Sequence, residues 1–111
     1  MKRILVGAAT VAATVAFVQP VGAAGDPKAA EQQISMCTGC HSIPGYQTSF
    51  PRVYHVPKIS GQSAAYIESA LRAYAKGDRS HPTMNGIAKT LTDQQIADIA
   101  AYYAERGATS K

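Results

Sequence analysis

Five consecutive residues, Cys37-Thr38-Gly39-Cys40-His41, constrain this chain more than any other stretch. Residues three and four apart share one face of a helical turn. Cys37 therefore shares a face with Cys40 and with His41, while Thr38 and Gly39 act as small spacers. Two thiols and an imidazole at this spacing match the attachment signature of a c-type haem. The thiols add across two vinyl groups of the porphyrin, and His41 ligates the iron from below. The competing readings are a structural disulfide, a redox dithiol and half of a zinc site. A zinc site needs four ligands, and the chain has only two Cys. A redox dithiol is expected near a βαβ pattern, which the sequence does not show. One covalent haem c is the favoured reading.

The first residues form a separate unit. Met1-Lys2-Arg3 is positively charged, Ile4 to Val18 is apolar except for Thr10 and Thr14, and Gln19-Pro20 breaks the run. Val21-Gly22-Ala23, or Gly22-Ala23-Ala24, offers small residues for a signal peptidase. This pattern predicts a cleaved secretory signal peptide over residues 1–23, followed by one mono-haem domain over residues 24–111. The alternative is an uncleaved membrane anchor, but the 15-residue run is shorter than the ~20 residues a spanning helix needs. The chain as a whole carries a net charge of +4; loss of Lys2 and Arg3 reduces it to +2. Two haem propionates would bring that near zero. No basic cluster supports nucleic-acid binding. Export places the thiols in an oxidising space, the periplasm of a bacterium, where haem attachment prevents their becoming a disulfide. After cleavage the chain has no Trp and a single Phe, Phe50. So small a core needs the haem as apolar mass.

Three main helices are predicted, with no strand signal, giving an all-α fold. Asp26-Pro27 is an N-cap followed by a proline at the first helical position, and the helix continues through Met36 into the haem turn. Residues 42–62 carry Pro44, Gly45, Pro51, Pro57 and Gly61, too many breakers for a helix. A loop of this length in a small domain must wrap something, and Tyr46, Phe50, Tyr54 and Val56 are candidates to cover the porphyrin. The second helix runs from Gln62 or Ser63 to about Lys76, with Tyr66, Ile67, Ala70, Leu71 and Tyr74 on its apolar stripe and Gly77 at its C-terminal cap. Residues 78–90 read as irregular. Thr92 and Gln95 form a capping box for a last helix ending at Gly107. Its stripe is Ile96, Ile99, Ala100 and Tyr103, with Tyr102 at the margin.

The second axial ligand decides the chemistry. Met36 adjoins Cys37 and cannot reach the opposite face of a ring held by that residue. Met84 lies 43 residues beyond His41, far enough for the chain to cross to the other side, and is favoured. His81 is the main competitor, with His55 and an open position as further alternatives. A thioether paired with imidazole gives a raised potential and leaves no iron position for a substrate.

The phrases Met36-Cys37-Thr38-Gly39-Cys40-His41, Val56 to Gln62, Gly77-Asp78-Arg79, Met84 to Ala88 and Leu91 to Tyr102 together resemble a class I c-type cytochrome of the small bacterial periplasmic kind. They cover nearly all of the chain after residue 24. The resemblance implies a cytochrome c fold in which the first and last helices cross near the haem, with His41 and Met84 as axial ligands. It implies that the Pro57 carbonyl accepts a hydrogen bond from His41, and that Gln62, Tyr66 or Arg79 reaches a propionate. It also implies a single-electron carrier rather than an enzyme, working between redox proteins such as a membrane cytochrome complex and a terminal oxidase or reductase. Such a carrier is a monomer or weak dimer and has no stable membrane insertion after signal cleavage. The alternatives are a haem-c enzyme or sensor with an open or labile sixth position, and a dedicated haem subunit of a dehydrogenase.

Overall fold

The computed structural model describes residues 24–49 and 52–108. Residues 1–23, the predicted signal segment, and Phe50 lie outside the described residues. Five helices and one short ribbon make up the fold: α1 Pro27–Ala30, α2 Ser35–His41, β1 Gln47–Thr48, β2 Tyr54–His55, α3 Ala64–Lys76, α4 Pro82–Ala88 and α5 Asp93–Ala108. Helix α5 is the centre of the packing. Helices α1 and α3 both lie on it, and α4 lies on α3. Among the described residues, no helix is long and apolar enough to cross a membrane.

The start of α1 follows from two residues. Asp26 accepts a hydrogen bond from the Lys28 N–H at 2.9 Å, and Pro27 occupies the first helical turn. The predicted single helix from Asp26 to the haem turn is instead two short helices separated by a turn over residues 31–34. Ala30 and Ile34 remain buried across that break, so the apolar spacing held although the helix did not. The N-terminal segment is also tied to α5. The Asp26 N–H donates to Asp98 Oδ1 at 2.8 Å, and Gln94 Nε2 donates to the same oxygen at 2.8 Å. Asp98 is thus a buried carboxylate with two donors, as a group only 4% exposed requires. A Cβ at Gly25 would overlap the backbone carbonyl of Ala97. The chain can cross α5 at that distance only without a side chain.

Helix α3 is capped at both ends. The Ser63 hydroxyl accepts from the Tyr66 N–H, and Gly77 closes the C-terminus at φ 89°, in the left-handed region. Its buried face is narrower than the predicted stripe. Ile67 and Leu71 enter the core, whereas Tyr66 stays 52% exposed. The capping box of α5 is present, with Thr92 and Gln95 exchanging backbone-to-side-chain bonds. Tyr102, expected at the margin, is buried with Tyr103. Gly107 does not end α5, which runs through Ala108. It meets Gly61 instead, where a Cβ would overlap the facing backbone.

Two segments read as irregular have regular structure. Residues 47–48 and 54–55 pair antiparallel, Gln47 opposite His55 and Thr48 opposite Tyr54. Two residues per strand are too few for an alternation to show in the sequence. Residues 82–88 form α4, with His81 as N-cap and Pro82 in the first turn. Pro82 looked like a breaker but here opens a helix, where its missing N–H costs nothing.

Candidate functional site

A cavity of about 300 Å³ opens between α2, α4, α3 and the loop carrying β2. Helix α2 contributes Cys37, Cys40 and His41 to its lining, and α4 contributes Met84 and Ile87. Ile67, Leu71 and Ile99 form the apolar floor, and Tyr54, Val56, Pro57, Ile59 and Gln62 form the rim. Tyr66 and Arg79 also line it. All eight predicted site residues, Cys37, Cys40, His41, Pro57, Gln62, Tyr66, Arg79 and Met84, therefore border one cavity, although they span 48 positions of the chain. Met36 and His81 border it too, whereas Tyr46 and His55 do not.

The two cysteines sit on one turn of α2 and are not joined in a disulfide. Burial pushes the Cys37 thiol above its ordinary range, and the neighbouring Cys40 adds to the shift. His41 Nδ1 lies 2.6 Å from the Pro57 carbonyl oxygen. A carbonyl can only accept, so Nδ1 carries the proton and the Nε2 lone pair is left available to a metal.

His81, the rival ligand, is engaged in the structure of α4. Its Nδ1 accepts from the Met84 N–H at 3.5 Å, and its ring meets the Tyr54 ring edge-on at 5.4 Å. Arg79 lies over the Tyr74 ring at 4.8 Å and donates to the Tyr66 hydroxyl at 3.5 Å. Two of the proposed propionate contacts are thus joined to each other. The lining contains the cations Lys58 and Arg79 and no carboxylate, a balance suited to an anionic ligand.

The donor set can be tested against the group it should hold. Among the described residues, no three His, Cys, Asp or Glu side chains converge as metal ligands. One imidazole and one thioether cannot cage a bare ion. They do suit an iron that brings its own four nitrogens. Two thiols on the same turn, an apolar floor and two cations at the opening fit the remainder of a porphyrin: its vinyl groups, its ring and its propionates.

Sequence reasoning missed Asn85, whose amide makes three hydrogen bonds behind Met84. It also missed Asp98. An Asn in a stretch read as a loop gives no signal of its role. The pattern His81-Pro82 with Asn85 four residues on becomes a helix start only once Pro82 is read as its first residue.

The model of the family described as cytochrome c matches residues 28–105. The chain is 41% identical over 86 residues to cytochrome c-554(548) of Halomonas halodenitrificans, covering 75% of this chain and 99% of that protein. It is 33% identical over 84 residues to cytochrome c4 of Pseudomonas aeruginosa, covering 76% of this chain but 40% of the relative. It is also 37% identical over 67 residues to the cytochrome subunit of sulfide dehydrogenase of Chlorobaculum tepidum, covering 60% of this chain and 56% of that one. The matched region contains the Cys37–His41 motif and every residue lining the cavity.

Proposed function

The chain belongs to the cytochrome c family and carries covalent haem c, and on that premise we propose that it is a periplasmic carrier of single electrons. Cys37 and Cys40 form the two thioether links. His41 and Met84 are the axial ligands. Residues 1–23 direct export and are removed, leaving residues 24–111 as one mono-haem domain. When bound, the haem iron supplies a one-electron couple between its ferrous and ferric states.

The chain's own residues define how that couple is used. Pro57 fixes the His41 ring through the 2.6 Å contact. Donation from Nδ1–H to a carbonyl increases the basicity of the ligating nitrogen. Met84, a lining residue from α4, would fill the second iron position and leave none for oxygen, peroxide or an organic substrate. The apolar floor excludes water and lowers the local dielectric, favouring the less charged ferrous state. Lys58, Gln62, Tyr66 and Arg79, which line the cavity, would hold the propionates. The observation that supports this reading is that His41 and Met84, from different helices, line the same cavity as Cys37 and Cys40.

A second reading has a specific basis. The similarity to a sulfide dehydrogenase cytochrome subunit suggests a fixed place beside a dehydrogenase, with the same electron chemistry. Co-purification with a partner through gel filtration distinguishes that subunit from a free shuttle.

The test is the visible spectrum of the exported protein. Ferric protein should show the weak far-red band of a sulfur–iron bond, and Met84→Ala should lose it while keeping both thioether links. A high-spin ferric spectrum in the unsubstituted protein contradicts His/Met ligation.

A further inference from the structure

Asn85 follows the proposed ligand Met84, and its side chain uses every hydrogen-bonding group it has for which a partner is at hand. Nδ2 donates to the Tyr74 carbonyl at 2.7 Å and to the Arg79 carbonyl at 2.8 Å. Oδ1 accepts from the His81 N–H at 2.7 Å. These partners lie on three pieces of backbone. Tyr74 is in the last turn of α3, and its carbonyl accepts from the Gly77 N–H at 3.2 Å as well as from Asn85. Arg79 is in the connection after Gly77. His81 is the N-cap of α4, whose N–H also has no helical acceptor. One amide therefore closes the end of one helix, the linking loop and the start of the next.

We propose that Asn85 is the positioning residue that holds Met84 at the iron. Helix α4 has only seven residues, too few to be stable by itself. Its place is set by packing on α3 and by the bonds at its first turn. Those bonds are the reciprocal pair between His81 and Asn85 and the weaker 3.5 Å contact from the Met84 N–H to His81. The two Nδ2 bonds then fasten that turn to α3, which also supplies the cavity floor through Ile67 and Leu71. Asn85 thus converts the rigidity of a 13-residue helix into a fixed approach for the thioether. Aspartate is the wrong residue here despite its shape, because its second oxygen would face two carbonyl oxygens.

The proposal rests on Met84 being the sixth ligand, so its test includes Met84→Ala. Ferric protein is titrated with imidazole, which competes for the sixth position, and the far-red band is recorded in parallel. Asn85→Asp keeps the bond from His81 and loses both bonds to carbonyls; Asn85→Ala loses all three. Asp26→Ala removes the cap of α1, on the far end of the chain, and serves as the control for a general loss of stability. Asn85→Asp and Asn85→Ala should bind imidazole about tenfold more tightly than the unsubstituted protein, the effect of weakening one competing bond. Asp26→Ala should change it by less than about twofold, since it removes only a distant cap. An affinity in Asn85→Asp that rises no more than in Asp26→Ala overturns the clamp, and this variant can be read even if Asn85→Ala does not fold. Imidazole affinity unchanged in Met84→Ala overturns the ligation itself, and the clamp with it. A rise in Met84→Ala without one in Asn85→Asp overturns the clamp alone.

Discussion

Tyr103 puts its ring in the core at 2% exposure, and its hydroxyl finds no partner among the described residues. Burial is the main cause pushing its phenol far above the ordinary range. The raised value favours the neutral form in the folded state. Its contribution is therefore complete below the ordinary phenol value of about 10 and declines as pH rises beyond that. Tyr103→Phe should leave stability unchanged or increase it by up to about 1 kcal/mol at neutral pH. It should also flatten the loss of stability above pH of about 10. Denaturant titrations at neutral and alkaline pH measure both effects, and a loss of stability at neutral pH contradicts an unpartnered hydroxyl. Asp98 is the opposite case, a buried acceptor with two donors. Asp98→Ala should cost about 1–3 kcal/mol, because the Asp26 N–H is left without an acceptor. The same titration checks it.

At the scale of elements, the crossing of the N-terminal segment over α5 depends on Gly25. Gly25→Ala forces a methyl group into the Ala97 carbonyl and should destabilise the protein by about 1–3 kcal/mol, the usual cost of overpacking. A midpoint of thermal unfolding unchanged from the parent protein contradicts the close approach. The helices whose ends carry their own chemistry were legible in the sequence. Asp26-Pro27, Ser63 with Gly77, and Thr92 with Gln95 are signals read within four residues or across one helix. The features that were not legible depend on distant partners. Helix α4 is held by Asn85 bonds to Tyr74 and Arg79, and the ribbon at residues 47–48 and 54–55 by a pairing with almost no pattern. The break after Ala30 leaves the apolar spacing intact, so periodicity did not reveal it. The cavity was foreshadowed by motif and by resemblance, since composition alone does not bring position 41 beside position 57.

The described residues are arranged around the cavity that lies between α2, α3 and α4. Helices α2, α3 and α4 and the rim loop each turn their apolar residues toward it, and the remaining core lies mainly along α5. A domain this small has little apolar surface to bury without its cofactor. A Cys37→Ala, Cys40→Ala double variant, exported without haem, should lose most of its far-ultraviolet helical signal at room temperature. A fully helical, cooperatively unfolding product contradicts a structural role for the haem. The central claim is that both axial positions are closed by the chain, so that the iron exchanges electrons and nothing else. Carbon monoxide added to the reduced, exported protein tests it most directly. The account predicts an unchanged low-spin spectrum, with binding appearing in Met84→Ala; prompt and complete conversion of the unsubstituted protein to the carbonyl form would contradict it.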